Sequence, residues 1–238
     1  MHDAAPRIVV ALHDPDAPLG LLEAPLRAAG CELQIWRARG DARPALDGAA
    51  GLVVLGSEAH PSQDAEHPWL AVSRELAREA LAGGTPVLGV CLGGQLLAQA
   101  AGGEAGPIGR LEVGWLGVDP VGGAGRDPVM GALPASGYRG FQWHEYGFAV
   151  PPRGRLLARA GEGNQAFRID GAPAWGIQFH VEVDPAIIAA WVADGEARLR
   201  AAGTDPDALL AESVERHASN AAVATEMARR FAALAAGG

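Results

Sequence analysis

The chain has 238 residues, a formal net charge of −9, and hydrophobic and charged fractions of 49% and 20%. That is a globular composition with enough length for one large domain, or one domain and an appendage, and it excludes a disordered chain or a fibre. All 19 basic residues are arginine, which rules out a Walker-type phosphate lysine, a Schiff-base lysine and a Ser-Lys dyad. The charges form no basic stripe, so nucleic acid is not expected as a partner. Cys31 and Cys91 are too few for a disulfide framework or a four-cysteine zinc site and suit a reducing compartment. Met1-His2-Asp3 lacks the features of a signal peptide, and no apolar run approaches the roughly 18 residues of a membrane span. The expectation is a cytoplasmic protein that does not associate with membranes.

The first hundred residues alternate short β-branched runs with helical ones. Arg7 to Leu12 reads as a strand, His13-Asp14-Pro15-Asp16 as a solvated turn, Leu19 to Ala29 as a helix, and Cys31 to Trp36 as a second strand. Gly51 to Leu55 is a nearly continuous apolar strand, buried on both faces. Trp69 to Ala82 has helical spacing and stops at Gly83-Gly84; Pro86 to Val90 is a strand and Leu92 to Ala101 a helix. Such alternation predicts an α/β fold with a mostly parallel central sheet flanked by helices. From Glu112 to Ile169 short strands between Gly/Pro turns predict antiparallel strands, added to the sheet or beside it. Ala174 to His180 reads as another strand, and helices fill the rest, from Ala186 to Ala202 and Asp205 to Ala236. Trp191, Leu199, Leu209, Leu210, Val214, Met227 and Phe231 recur on helical faces as packing residues. Whether this tail packs on the sheet or on a second subunit is left open, as is the oligomeric state.

The sharpest local feature is Gly89-Val90-Cys91-Leu92-Gly93, where a buried strand runs straight into a helix. This is the elbow pattern of an exposed nucleophile, with cysteine in place of serine. Small flanking residues permit the tight turn, and the helix N-terminus favours a thiolate at Cys91. Leu92 N–H is the expected oxyanion donor. A cysteine nucleophile needs a base. Of the seven histidines, only His180 ends a predicted core strand with an acidic residue, Glu182, two positions on. Residues i and i+2 of an extended chain share a face, so Glu182 can orient one ring nitrogen and leave the other for the sulfur. Both Cys91 and His180 then sit at carboxyl ends of strands, where sites form in such folds. Asp64, Glu66, His67 and His60 cluster in sequence, but acidic residues commonly precede helices, and no metal or other cofactor is expected. Cys31 reads as a core residue.

Together the elbow Gly89 to Gln95 and the segment Gln178-Phe179-His180-Val181-Glu182 resemble the class I, triad-type glutamine amidotransferases, of the stand-alone sort similar to the glutaminase part of GMP synthase. The loop from Leu55-Gly56-Ser57 to Pro68-Trp69-Leu70, and Gln142-Trp143-His144 before Gly147-Phe148, extend the resemblance over about residues 7 to 185. It implies a flavodoxin-like amidotransferase domain over 1–185 and a helical C-terminal extension over 186–238. It also implies a Cys91-His180-Glu182 triad, a γ-glutamyl thioester, an oxyanion hole from Leu92, Gly56 and Ser57, and a substrate pocket with Gln95, Gln142 and Trp143. Glutamine would be hydrolysed to supply ammonia to an acceptor, in synthases held by a second domain or subunit. The helical tail, without lysine or a glycine-rich phosphate loop, is not expected to activate that acceptor with a nucleotide. The same triad would serve a γ-glutamyl peptidase or hydrolase. A non-catalytic binding or regulatory module is a third reading, against which the intact Cys91, His180 and Glu182 count. This chain departs from the family pattern at Gly56-Ser57-Glu58 (often Gly-Gly-Pro), at Val181 (usually Pro) and at His144-Glu145-Tyr146 (usually His-Gly-Asp). Ser57 can donate its N–H if the loop does not demand a glycine-only conformation.

Overall fold

The computed structural model describes residues 5–161 and 163–237; the Met1–Asp3 stretch read above for a leader lies outside them. Strand β1 (Arg7–Leu12) leads through a 3-10 turn (Gly20–Leu22) and α1 (Glu23–Ala28) to β2 (Glu32–Arg37). Then come β3 (Gly51–Val54), α2 (Trp69–Gly83), β4 (Val87–Val90) and α3 (Leu92–Ala100). The middle holds β5 (Ala105–Gly117), β6 (Asp119–Pro120), β7 (Arg139–Phe148), β8 (Gly154–Ala160), β9 (Gly163–Ile169) and β10 (Ala174–Ile177), and α4 (Pro185–Ala201) and α5 (Pro206–Ala236) follow.

An 8-stranded sheet has the order β2-β1-β3-β4-β10-β9-β8-β6. Pairing is parallel from β2 to β10 and antiparallel from β10 to β6. Alternation along the parallel strands sorts side chains to two faces. Ile8, Val10, Val53 and Leu55 join a cluster with Leu26 of α1 and Val223, Met227 and Phe231 of α5. Val9, Ala11, Leu52 and Val54 face Leu70 and Leu76 of α2 and Leu96 and Leu97 of α3. Burial of each large aliphatic or aromatic side chain stabilises the fold by about 1.5–3 kcal/mol. The tail therefore packs on the sheet, because α5 puts its apolar stripe on the strand face opposite α2 and α3. Val214 departs from the predicted packing set and is exposed. Among the described residues no helix is long and apolar enough to cross a membrane.

Two readings change. The predicted helix over Leu19 to Ala29 divides into a 3-10 turn (Gly20–Leu22) that runs on into α1 (Glu23–Ala28), and its first residue, Gly20, takes a φ of +50° where a Cβ would lie 2.1 Å from the Glu182 carbonyl oxygen. The middle segment contains not only short strands: β5 has 13 residues and β7 has 10, paired antiparallel as a separate two-stranded ribbon. A register shift between Pro107 and Glu112 and scattered glycines hide their alternation in the sequence. A third apolar cluster, with Trp115, Phe141, Val183, Ile188, Val192 and Leu209, ties this ribbon to α4 and the start of α5.

Candidate active site

The turns after β1, β3 and β4 and the segment after β10 converge at the carboxyl edge of the sheet, on a pocket of about 350 Å³. Its lining includes Asp14, Ser57, Cys91, Leu92, Gln95 and His180. Cys91 is the one non-glycine residue with positive φ (51°) among those described. Such backbone strain persists only where the surroundings over-determine it, and it concentrates at functional positions. The determinants are visible: a Cβ on Gly93 would lie 1.9 Å from the Val54 carbonyl oxygen, and one on Gly89 would lie 2.5 Å from that of Gly93. Only bare backbone lets α3 start this close to β3 and β4. The Cys91 N–H donates to Ile177 O at 2.8 Å, so the elbow is stitched to the end of β10.

Cys91 and His180 are brought together. A Cβ on Gly56 would lie 3.6 Å from the Cys91 Cβ and 3.4 Å from His180 Cε1. His180 Nδ1 lies 2.6 Å from Glu182 Oε1, and both side chains are buried. With Nδ1–H donating to the carboxylate, Nε2 is left without a hydrogen-bond partner among the described residues. Burial opposes protonation of His180, but the charges of Glu182 and Cys91 outweigh it and push the imidazole up to about 10.

One expectation about this segment is corrected. His180 does not end a strand: β10 stops at Ile177. Gln178 N–H still donates to Gln165 O of β9, but His180 N–H donates to Phe141 O of β7 at 2.8 Å. The chain leaves the main sheet there and crosses to the ribbon. It is caught by groups far off in sequence. Leu21 N–H donates to Glu182 O at 2.7 Å. Asn220 of α5, itself buried, donates from Nδ2 to Val181 O (3.1 Å) and Val183 O (3.0 Å), while its Oδ1 accepts from Tyr138 OH at 2.8 Å. Nothing in the α5 pattern singled out Asn220; the available signal was an amide on an otherwise apolar stripe.

The loop after β3 is held from β1. Ser57 has no positive φ, so the departure from glycine strains nothing. Its hydroxyl donates to Asp14 and its Oγ accepts from Ala59 N–H at 3.1 Å. Asp14 pairs in turn with Arg39. Asp14 is therefore half-buried and structural, not a solvated turn residue, whereas Asp16 is exposed. Beneath this loop His13 donates from Nδ1 to Leu55 O (2.9 Å), with Nε2 2.8 Å from Ser73 Oγ. Burial pushes His13 down to about 4 and keeps it neutral.

The residues assigned to the substrate pocket divide. Gln95 and Trp143 line it, but Gln142 does not. Gln142 is fully buried behind the wall, donating to Gln165 Oε1 at 3.0 Å and lying 3.0 Å from His144 Nε2. The outer wall is α4, a helix read from sequence only as packing: Trp191, Asp194 and Arg198 line the pocket. Trp191 stands edge-on to His180 with centroids 5.0 Å apart, and Arg198 pairs with Glu145 at 2.7 Å. His60 stacks on Tyr146, and Asp64 pairs with Arg74. Cys31 is buried.

The family model of the class-I glutamine amidotransferases matches residues 20–188. The chain belongs to that family. Over 100 residues it is 35% identical to a subunit of the glutamine-hydrolysing GMP synthase of Ignicoccus hospitalis, a match covering 41% of this chain and 51% of the relative. The match thus spans about half the length of that curated relative. A crystal structure of a glutamine amido transferase from Methylobacillus flagellatus is 26% identical, with a TM-score of 0.85 over 96% of this chain and 94% of that chain. A glutamine amidotransferase from Thermotoga maritima, 24% identical with a TM-score of 0.85 over 97% and 99% of the two chains, shares the fold.

Proposed function

We propose that the chain hydrolyses the side-chain amide of glutamine, with Cys91 as nucleophile, His180 as acid and base, and Glu182 as its orienter, and that the ammonia passes to an acceptor on a separate synthase subunit. The observation carrying this reading is the meeting in one pocket of a strained cysteine at a helix N-terminus and a buried histidine–carboxylate pair. The sulfur attacks the amide carbon, and the carbonyl electron pair moves onto oxygen. The N–H groups of Leu92 and of the Gly56–Ser57 loop receive that charge. Collapse breaks the C–N bond while the imidazolium Nε2–H protonates the nitrogen, leaving ammonia and a γ-glutamyl thioester. The neutral imidazole then takes a proton from an attacking water, and the second collapse releases glutamate and restores the thiolate–imidazolium pair. Gln95 commits both amide hydrogens to Tyr146 O and Gln178 Oε1, so its Oε1 is the atom left to accept from the substrate's ammonium.

The name of the Ignicoccus relative, a synthase subunit, supports a separate acceptor-carrying partner. A γ-glutamyl hydrolase is the second reading, favoured by a pocket that runs beyond Cys91 to Asp194 and Arg198 of α4. The purified protein is tested on glutamine and on γ-glutamyl peptides, and with a glutamine-mimicking electrophile followed by mass spectrometry. We expect glutamine turnover, labelling of Cys91 and not Cys31, and a folded but inactive Cys91→Ala. Brisk peptide cleavage with negligible glutamine turnover would overturn the amidotransferase reading in favour of the hydrolase.

A further inference from the structure

We infer that Gln178 is a catalytic contact of the nucleophile: its amide N–H donates to the Cys91 sulfur, and Gln95 is the positioning residue that aims it. The inference rests on the reading of Cys91 as nucleophile and adds a donor outside the triad and the oxyanion loop.

The geometry fixes which way the amides point. Tyr146 O is a backbone carbonyl and can only accept, so the Gln95 atom 2.9 Å from it is the amino nitrogen. The second hydrogen of that nitrogen reaches Gln178, 3.2 Å away, where the partner must be the carbonyl oxygen Oε1. The remaining end of Gln178 is therefore its NH2, and it lies 3.5 Å from Cys91 Sγ. Gln178 has no freedom to turn over: it is 1% exposed, its backbone N–H is bound to Gln165 O at 2.9 Å, and Gln95 is 2% exposed. Neighbouring parallel strands bring the pair together, since Val90 and Ile177 are register partners and Cys91 and Gln178 are the next residue of each. A fixed N–H at the sulfur favours the anion over the thiol, as hydrogen bonds to charged groups are the stronger ones.

The test is the rate of Cys91 alkylation by iodoacetamide as a function of pH, which requires no knowledge of the substrate. Gln178→Met keeps the length and bulk of the side chain and removes the donor; His180, His144, His60 and the rim carboxylates Asp14, Glu58 and Glu145 stay in place. We expect alkylation at pH 7 to fall about tenfold, with the rate–pH curve moving about one unit to higher pH. Gln95→Met should move it in the same direction by less, with circular dichroism unchanged. Gln178→Glu should move it further than Gln178→Met, because a carboxylate there repels the thiolate. A Gln178→Met curve superimposing on that of the wild type, in a folded variant, would overturn the inference and leave the triad standing. A wild-type Cys91 no more reactive than Cys31 would instead sink the nucleophile reading itself.

Discussion

Two short departures from neighbouring strand ends build the pocket, one carrying Cys91 after β4 and the other carrying His180 and Glu182 after β10, and they are held in different ways. The elbow is held by what its residues lack. Gly89 and Gly93 leave no Cβ between α3 and the strands, and the turn is forced by backbone packed on backbone. The His180–Glu182 segment has no regular structure and is held by added partners: Phe141 O, Leu21 N–H and Asn220. The first kind of support is encoded within a few residues. The second draws on the 3-10 turn before α1, on the ribbon and on α5, so a defect far along the chain reaches His180 without touching Cys91.

The largest effect that would break this comparison is expected at Gly93. Gly93→Ala puts a methyl within 1.9 Å of the Val54 carbonyl, a backbone clash that cannot be relieved by a rotamer change. It should cost about 3 kcal/mol or more and abolish turnover, read by urea unfolding and an ammonia-release assay. Next comes Asn220→Leu, which leaves two buried carbonyls and the Tyr138 hydroxyl without this partner. A loss of about 2–4 kcal/mol is expected, with kcat falling more than KM changes and Cys91 labelling retained. If kcat were untouched, α5 would support the fold but not the placement of His180.

The histidines sharpen the contrast through pH. His13 and His144 are held down to about 4 by burial, with the charge of His180 adding to the effect at His144. The unfolded chain takes up protons at these sites, near 6.5, that the folded protein refuses. Their stabilisation is therefore present above about 6.5 and is lost as pH falls to about 4. His180 behaves oppositely: burial disfavours its charge, but Glu182 and Cys91 raise it to about 10, so its stabilisation is full below about 6.5 and is lost as pH rises to about 10. Chemical denaturation from pH 4 to 10 should show a maximum between these limbs. His13→Gln should flatten the acid limb and His180→Gln the alkaline one. The smallest effect is expected at Ser57→Ala, which unlatches the loop from Asp14 at about 1 kcal/mol and lowers kcat a few-fold with binding kept.

The sequence by itself determined the parallel half of the sheet, the elbow and the pairing of His180 with Glu182, because each depends on local periodicity, on glycine spacing or on residues two apart. Tertiary structure alone decided the rest. Gln142 is taken up by Gln165 and His144 behind the pocket wall, and α4 becomes a pocket wall because the ribbon cluster docks it there. Asp14 becomes the latch of the loop after β3 because parallel pairing sets the ends of β1 and β3 side by side. Asn220 reaches the His180 segment because α5 lies across the face of the sheet opposite α3. These contacts join residues tens to well over a hundred positions apart in the chain, and no local pattern encodes which side chain a distant backbone will meet.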